Sequence, residues 1–269
     1  MSAFFLPAAC GQRFSLLHRP PEGVPVRAAL VYVHPFAEEM NCARATVARQ
    51  ARVLAEAGYA VLQIDLHGCG DSSGDFADAL WADWQADVHL ACDALRQQFD
   101  APLWLWGLRA GALLAAQVAE ARAEVPDLLL WQPVWNGAQI LRQMLRLKLA
   151  GEMLSGQAGG NVQALRQRLL AGETLEIGGY SISPSLAAGL DAADWPQALS
   201  PRRIACFELG GASELAPAFA KQRDAWQEAG HHLHMAALVE PAFWQTPGVS
   251  VSPALAAATL AALATDEVR

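Results

Sequence analysis

Pro102-Leu103-Trp104-Leu105-Trp106-Gly107-Leu108-Arg109-Ala110-Gly111-Ala112-Leu113-Leu114-Ala115-Ala116-Gln117-Val118-Ala119 is the stretch on which the reading of this chain turns. It runs from an apolar segment of strand length, through a five-residue Gly-x-x-x-Gly turn, into an Ala/Leu-rich helix former. Strand, tight turn and helix in that order are the setting of a nucleophile elbow, G-x-S-x-G, where the central residue sits on a strained turn with its side chain above a sheet. Small residues two positions either side let strand and helix approach closely. Gly107 and Gly111 meet that demand, but the center is Arg109, a permanent cation that cannot act as a nucleophile near neutral pH. The scaffold for acyl transfer is expected here without its usual reactive atom.

Composition bounds what surrounds this turn. With 269 residues, 53% hydrophobic and 17% charged, the chain can bury one large core and suits a sheet covered on both faces, in one domain over 1–269. A formal charge of -8 and a pI of about 5.3 argue against nucleic acid as a partner. The cysteines Cys10, Cys42, Cys69, Cys92 and Cys206 form no C-x-x-C pair, so neither a metal site nor a disulfide framework is indicated, and no cofactor motif stands out. Met1 to Pro7 lacks a basic region before its apolar patch and reads as a first strand rather than a signal peptide. No run of about 18 apolar residues suggests a membrane span. A cytoplasmic location is the expectation.

From Ala28 onward, short apolar runs alternate with helix-periodic stretches, the sign of βαβ units and a mostly parallel sheet. Strands are expected at 28–33, 60–64, 102–106, 127–131, 203–209 and 233–239. Helices are expected at 44–57, 81–98, 112–122, 217–229 and 253–264. Between Gln132 and Ser200 the alternation stops: 140–149 is amphipathic and basic, and Gly156 to Gly160 and Gly178-Gly179 read as hinges or loops. Residues 133–200 are therefore read as a helical cap over the carboxyl ends of the strands, where open α/β sheets bind ligands; the alternative is a peripheral excursion that only covers sheet surface.

Val33-His34-Pro35-Phe36, Asp65-Leu66-His67-Gly68-Cys69-Gly70-Asp71-Ser72 and the elbow together resemble the α/β-hydrolase superfamily over nearly the whole chain. More closely, His34 to Asn41, Gly68 to Ser72 and Trp131-Gln132-Pro133-Val134 are similar to the exosortase A system-associated hydrolases of the second type. That group is defined by association with bacterial exopolysaccharide and protein-sorting loci. The resemblance implies an α/β-hydrolase fold and, nominally, an ester or thioester hydrolase or acyl transferase.

The other members of a Ser-His-acid triad are then due after the last two core strands. Glu208 and Glu214 are available for the acid, Glu214 being better placed, although either can be a solvated loop carboxylate. The base has no such provision. His231, His232 and His234 precede or open the last strand, no histidine follows them, and the segment due to carry one is Glu240-Pro241-Ala242-Phe243-Trp244-Gln245. Cys69, Ser72 and Ser73 offer substitute nucleophiles, with His34 or His67 as a base for Cys69. The competing view makes that loop a tight structural turn around a buried thiol.

What remains is an anion site. The amides of Phe36 and Ala110 stand where relatives form an oxyanion hole, the elbow helix turns its positive end to the same spot, and Arg109 adds a planar donor suited to carboxylate or phosphate. Burying that cation calls for a counter-charge from Glu38, Glu39, Asp71 or Glu214, so an internal salt bridge competes with a ligand-reading Arg109. Trp135, Phe243 and Trp244 fall at strand ends and can line a pocket; Trp104, Trp106 and Trp131 read as core. The leading readings are a hydrolase by resemblance and a noncatalytic binder of a small anionic or acyl ligand, or of a partner protein, by chemistry. A third is peripheral membrane contact through 138–150, where Arg142, Arg146 and Lys148 form a basic face.

Overall fold

The computed structural model describes residues 1–156, 160–246, 248 and 250–264. Gln157, Ala158 and Gly159, from the glycine-rich segment read as a hinge or loop, lie outside the described residues. The chain opens with β1 (Ser2–Pro7), β2 (Gln12–His18) and β3 (Ala28–Val33), followed by α1 (Glu38–Glu56), β4 (Tyr59–Ile64) and α2 (Trp81–Arg96). The elbow strand β5 (Leu103–Leu108) leads into α3 (Ala110–Ala121) and β6 (Asp127–Trp131). Then come α4 (Gly137–Leu154), α5 (Val162–Leu170), the hairpin β7 (Leu175–Ile177) and β8 (Tyr180–Ile182), and α6 (Pro184–Asp191). The chain closes with β9 (Arg203–Gly210), α7 (Pro217–Glu228), β10 (His232–Val239) and α8 (Pro253–Ala264).

Eight strands form one sheet in the order β1-β2-β4-β3-β5-β6-β9-β10; β2 runs antiparallel to both β1 and β4, and the strands β4, β3, β5, β6, β9 and β10 pair in parallel. The alternation along β3 shows why helices cover both faces. Ala28, Leu30 and Tyr32 pack with Val47 and Leu54 of α1 and Leu255 of α8, while Ala29, Val31 and Val33 pack with Trp84 of α2 and Leu113 of α3. Every residue of β3 and β5 is buried, which accounts for runs that are apolar without alternation. No helix among the described residues is long and apolar enough to cross a membrane.

Most elements expected from periodicity are present, with informative differences. The helix expected from residue 44 begins at Glu38, because Ala37 takes a positive φ of 52° and turns the chain straight from the β3 loop into α1. Glu38 and Glu39 in its first turn suit the positive end of the helix dipole. Gly178-Gly179, read as a hinge or loop, is the two-residue turn of the β7–β8 hairpin, both residues having positive φ. Strand β2, unmarked by the sequence reading, anchors the turn after β4: Phe14 and Gln12 donate their amides to the Ser72 and Ser73 hydroxyls at 2.9 and 3.0 Å.

The elbow glycines are fixed by contact. A Cβ on Gly111 would stand 2.2 Å from the Val33 carbonyl oxygen and 2.6 Å from that of His34; one on Gly107 would stand 2.3 Å from the Ala112 Cα. Backbone occupies those positions and cannot swing aside as a side-chain end can. Gly111→Ala is expected to destabilize the fold by about 1–3 kcal/mol through overpacking. Gly151→Ala, in α4 with nothing within 4 Å of the added methyl, should stabilize by about 0.5–1 kcal/mol. Urea unfolding of the two variants beside the parent checks both signs.

Candidate functional site

Arg109 sits at the turn between β5 and α3 with φ 56° and ψ -119°, a region a side-chain-bearing residue adopts only at a cost of about 1–3 kcal/mol. Its backbone is held from both sides. The amide donates to the Trp131 carbonyl at 3.0 Å, and the carbonyl accepts from Ala112 at 3.1 Å and from Val134 at 3.4 Å. So constrained, the side chain projects above the sheet into a cavity of about 100 Å³ at the carboxyl ends of the strands. Ala37, the other strained residue beside this cavity, contributes from the β3 loop together with Phe36, and Glu38 and Glu39 from the first turn of α1. Val134 from the loop after β6 and Ile140, Gln143, Met144 and Leu147 from α4 close it, with Ile177 and Tyr180 from the hairpin.

The guanidinium, 8% exposed, meets three neighbors. Its Nε donates to Glu39 Oε1 at 3.3 Å, its Nη2 donates to Gln143 Oε1 at 3.1 Å, and its plane lies 5.4 Å from the Trp244 ring center. Glu39 is thus the counter-charge, while Asp71 and Glu214 are solvent-exposed elsewhere. Burial pushes the Glu39 carboxyl above the ordinary glutamate value, and the charge and hydrogen bond of Arg109 pull against that rise. The ion pair and the open cavity coexist, so the choice between a salt bridge and an exposed cation does not divide this site as the sequence suggested.

Several expected participants are elsewhere. Trp135 packs edge-on against Trp195, Phe219 and Trp226 at 5.2 to 5.7 Å, an aromatic cluster apart from the cavity. Phe243 is fully buried against Trp131 and Trp244. Phe243 is core and Trp135 is half-buried against the core, since a ring at a strand end packs inward when the neighboring elements supply partners. Trp244, 3% exposed, reaches Arg109 without forming the cavity wall. Phe36 and Ala110 do border the cavity, and Phe36 also stacks on Trp84 at 4.2 Å.

The substitute nucleophiles have structural employment. Cys69 is buried, and desolvation pushes its thiol far above the ordinary value, so no thiolate is available near neutral pH. His34 Nε2 accepts the Leu66 amide at 3.1 Å and Nδ1 lies 2.6 Å from the Pro35 carbonyl, which engages both ring nitrogens. Burial lowers its pKa, keeping the ring neutral with the proton on Nδ1. His67 packs its Nε2 edge against Gly74, and its Nδ1 lies 3.5 Å from Asp83 Oδ2 without a hydrogen bond. Ser72 donates its hydroxyl to the Asp65 carbonyl. The whole turn is locked by Asp87, which accepts from Arg13 Nε and from the His67 amide, each at 2.7 Å.

The remaining triad positions are equally occupied. Glu208 accepts the Ala216 amide at 2.8 Å at the start of α7, and Glu214 is exposed and away from the cavity. Glu240, just after β10, accepts the Ala254 amide at 2.7 Å in the first turn of α8. His231 accepts the Arg202 amide at 3.2 Å, at the amino end of β10. Among the described residues no group of three or more His, Cys, Asp and Glu side chains is arranged to hold a metal. Gln143 and Tyr180 were not marked by the sequence: each becomes a cavity residue only when α4 and the hairpin fold back over the elbow. The outer side of α4 carries Arg142 and Arg146 with exposed Met153 and Leu154, and Leu147 stands at the cavity rim.

Comparison with known proteins fits this architecture. A search of curated proteins finds no match. Among solved structures, Est1E from Butyrivibrio proteoclasticus with ferulic acid bound is 13% identical, with 96% of this chain and 97% of that one covered at a TM-score of 0.67. A proline iminopeptidase from Mycobacterium smegmatis is 16% identical over 97% of each chain at 0.60. An α/β serine hydrolase without a lid from Xanthomonas campestris is 16% identical, covering 97% and 93% of the two chains, at 0.56. Identities this low speak for the fold alone. A family model described as serine aminopeptidase, S33, matches residues 24–161, the part that carries β3 to β6, the elbow and all of α4. The match spans just over half of the chain, and on that ground the chain belongs to this family of the α/β-hydrolase superfamily.

Proposed function

We propose that this chain is a non-hydrolytic member of its family that binds a small anionic or acyl ligand above the elbow, with residues 133–200 serving as the cap. The observation that carries this reading is the guanidinium of Arg109 at the nucleophile position, under the ring of Trp244 from the loop after β10, where the family's fold supplies the base. A cation and an indole provide neither nucleophile nor proton acceptor. They do provide a donor array beside apolar walls, the chemistry of a ligand site rather than of acyl transfer. Similarity of the 34–41, 68–72 and 131–134 segments to the exosortase A system-associated hydrolases of the second type supports a setting in bacterial surface-polymer metabolism, in the cytoplasm.

Treatment with a fluorophosphonate and with iodoacetamide, each read by mass spectrometry, tests the absence of catalysis. No serine is expected to label, and native-state alkylation is expected at exposed Cys10 before buried Cys69. No turnover of p-nitrophenyl acetate or an acyl thioester above background is expected. A unique labeled Ser or Cys whose mutation abolishes turnover overturns the proposal in favor of hydrolysis. Arg109→Ala should abolish calorimetric binding of short-chain carboxylates while circular dichroism stays native; unchanged binding with lost stability assigns Arg109 to structure alone.

A variant separates the loss of the base from the loss of the nucleophile. Arg109→Ser returns a hydroxyl to the elbow but no histidine to the loop after β10. Its ester turnover is expected to stay at the parent's background, because an unactivated serine hydroxyl is a weak nucleophile at its free pKa. Robust turnover by this variant would mean that a base is already in reach.

A further inference from the structure

The charge balance of the cavity narrows the ligand further than the elbow alone does. Glu38 and Glu39 against Arg109 leave the lining with one more formal negative charge than positive. Tyr180 from the hairpin and Gln143 from α4 are the other polar residues on the wall, and Cys42 lies one turn along α1 with its Sγ 3.8 Å from Glu38 Oε1. No other titratable or charged side chain from α3, α4 or the hairpin borders the cavity among the described residues. A dianion such as phosphate would meet two carboxylates and one cation. A neutral ester would leave the Arg109–Glu39 pair unused.

The pair itself is loosely made. Its 3.3 Å single-point contact through Nε is long beside the roughly 2.7–2.9 Å of a charge-assisted bond, and Nη1 has no protein acceptor among the described residues. A guanidinium pairs best with a carboxylate through two parallel N–H bonds on one edge. The remaining wall is apolar, formed by Val134, Ile140, Met144, Leu147 and Ile177, and about 100 Å³ admits a short tail.

We infer that the site, on the ligand-binding reading above, takes a monocarboxylic acid with a compact apolar tail whose carboxylate replaces Glu39 as the partner of Arg109, while Glu39 takes up one proton from solution. The balance closes: one carboxylate enters, one carboxylate is neutralized, and Arg109 keeps a single negative partner throughout. The Glu39 side chain is poised for this exchange, since burial already favors its neutral form and only Arg109 opposes it. Once a ligand carboxylate engages the cation, the opposition is spent and the proton binds.

Titration calorimetry with hexanoate in two buffers of different ionization enthalpy reads the coupling directly in the parent protein. Uptake of about one proton per ligand is expected around neutral pH, with affinity strengthening by up to about tenfold per pH unit as the pH falls from 8 to 6. Glu39→Gln, nearly isosteric and unable to ionize, should bind hexanoate at least about tenfold more tightly at pH 7.5, without proton uptake and with a flat pH profile. Inorganic phosphate should not compete. Hexanoate binding without proton uptake, weaker binding by Glu39→Gln, or tighter binding of phosphate overturns the exchange while leaving the ligand-binding reading in place. No binding of either probe by either protein overturns both.

Discussion

The close approach of Gly111 to the carbonyl oxygens of Val33 and His34 governs the rest of this molecule. With no Cβ there, α3 starts directly against the end of β3, and the β5–α3 turn must fold so tightly that Arg109 is driven to φ 56°. The same contact sets the β3 loop beside the elbow, where Ala37 takes its own positive φ and α1 begins so that Glu39 reaches Arg109. Two strained residues at one cavity represent a cost of a few kcal/mol that only the surrounding sheet can hold in place.

The geometry of that turn does not depend on which side chain stands on it. An elbow presents its side chain to the end of the sheet whichever residue occupies it, and here it presents a cation. A buried cation without a counter-charge is destabilizing by several kcal/mol, so Glu39 is as much a condition of Arg109 as the glycines are. Trp244 covers the guanidinium with a ring face, an attraction on the order of 1 kcal/mol that a neutral histidine base would not reproduce. The elbow, its counter-ion and its cover are joined through the one guanidinium of Arg109.

The turn after β4 illustrates how a chemically suggestive sequence can be wholly structural. Cys69, His34, His67, Ser72 and Ser73 look in the sequence like a nucleophile with its base. In the fold, the two serines hold β2, His34 bridges two backbone groups, and Asp87 with Arg13 pins the loop from beneath. Polar side chains in a short glycine-rich turn must satisfy the backbone groups the turn leaves unpaired. That demand is met here by the side chains of Ser72, Ser73 and His34.

Read alone, the chain determined the elbow, the parallel sheet and the absence of serine and late histidine, because glycine spacing, uninterrupted apolar runs and residue identity are local properties. It narrowed the partner of Arg109 to Glu38, Glu39, Asp71 and Glu214 but went no further. Only the tertiary structure chose Glu39, since that choice depends on α1 beginning at Glu38, six residues ahead of its periodic signal, on a strained Ala37. It likewise packed Trp135 against an aromatic cluster and Phe243 into the core, brought Gln143 and Tyr180 to the cavity and laid Trp244 over the guanidinium. These are contacts between residues far apart in the chain. They are settled by which faces are left to pack once the sheet has formed, and periodicity carries no record of that.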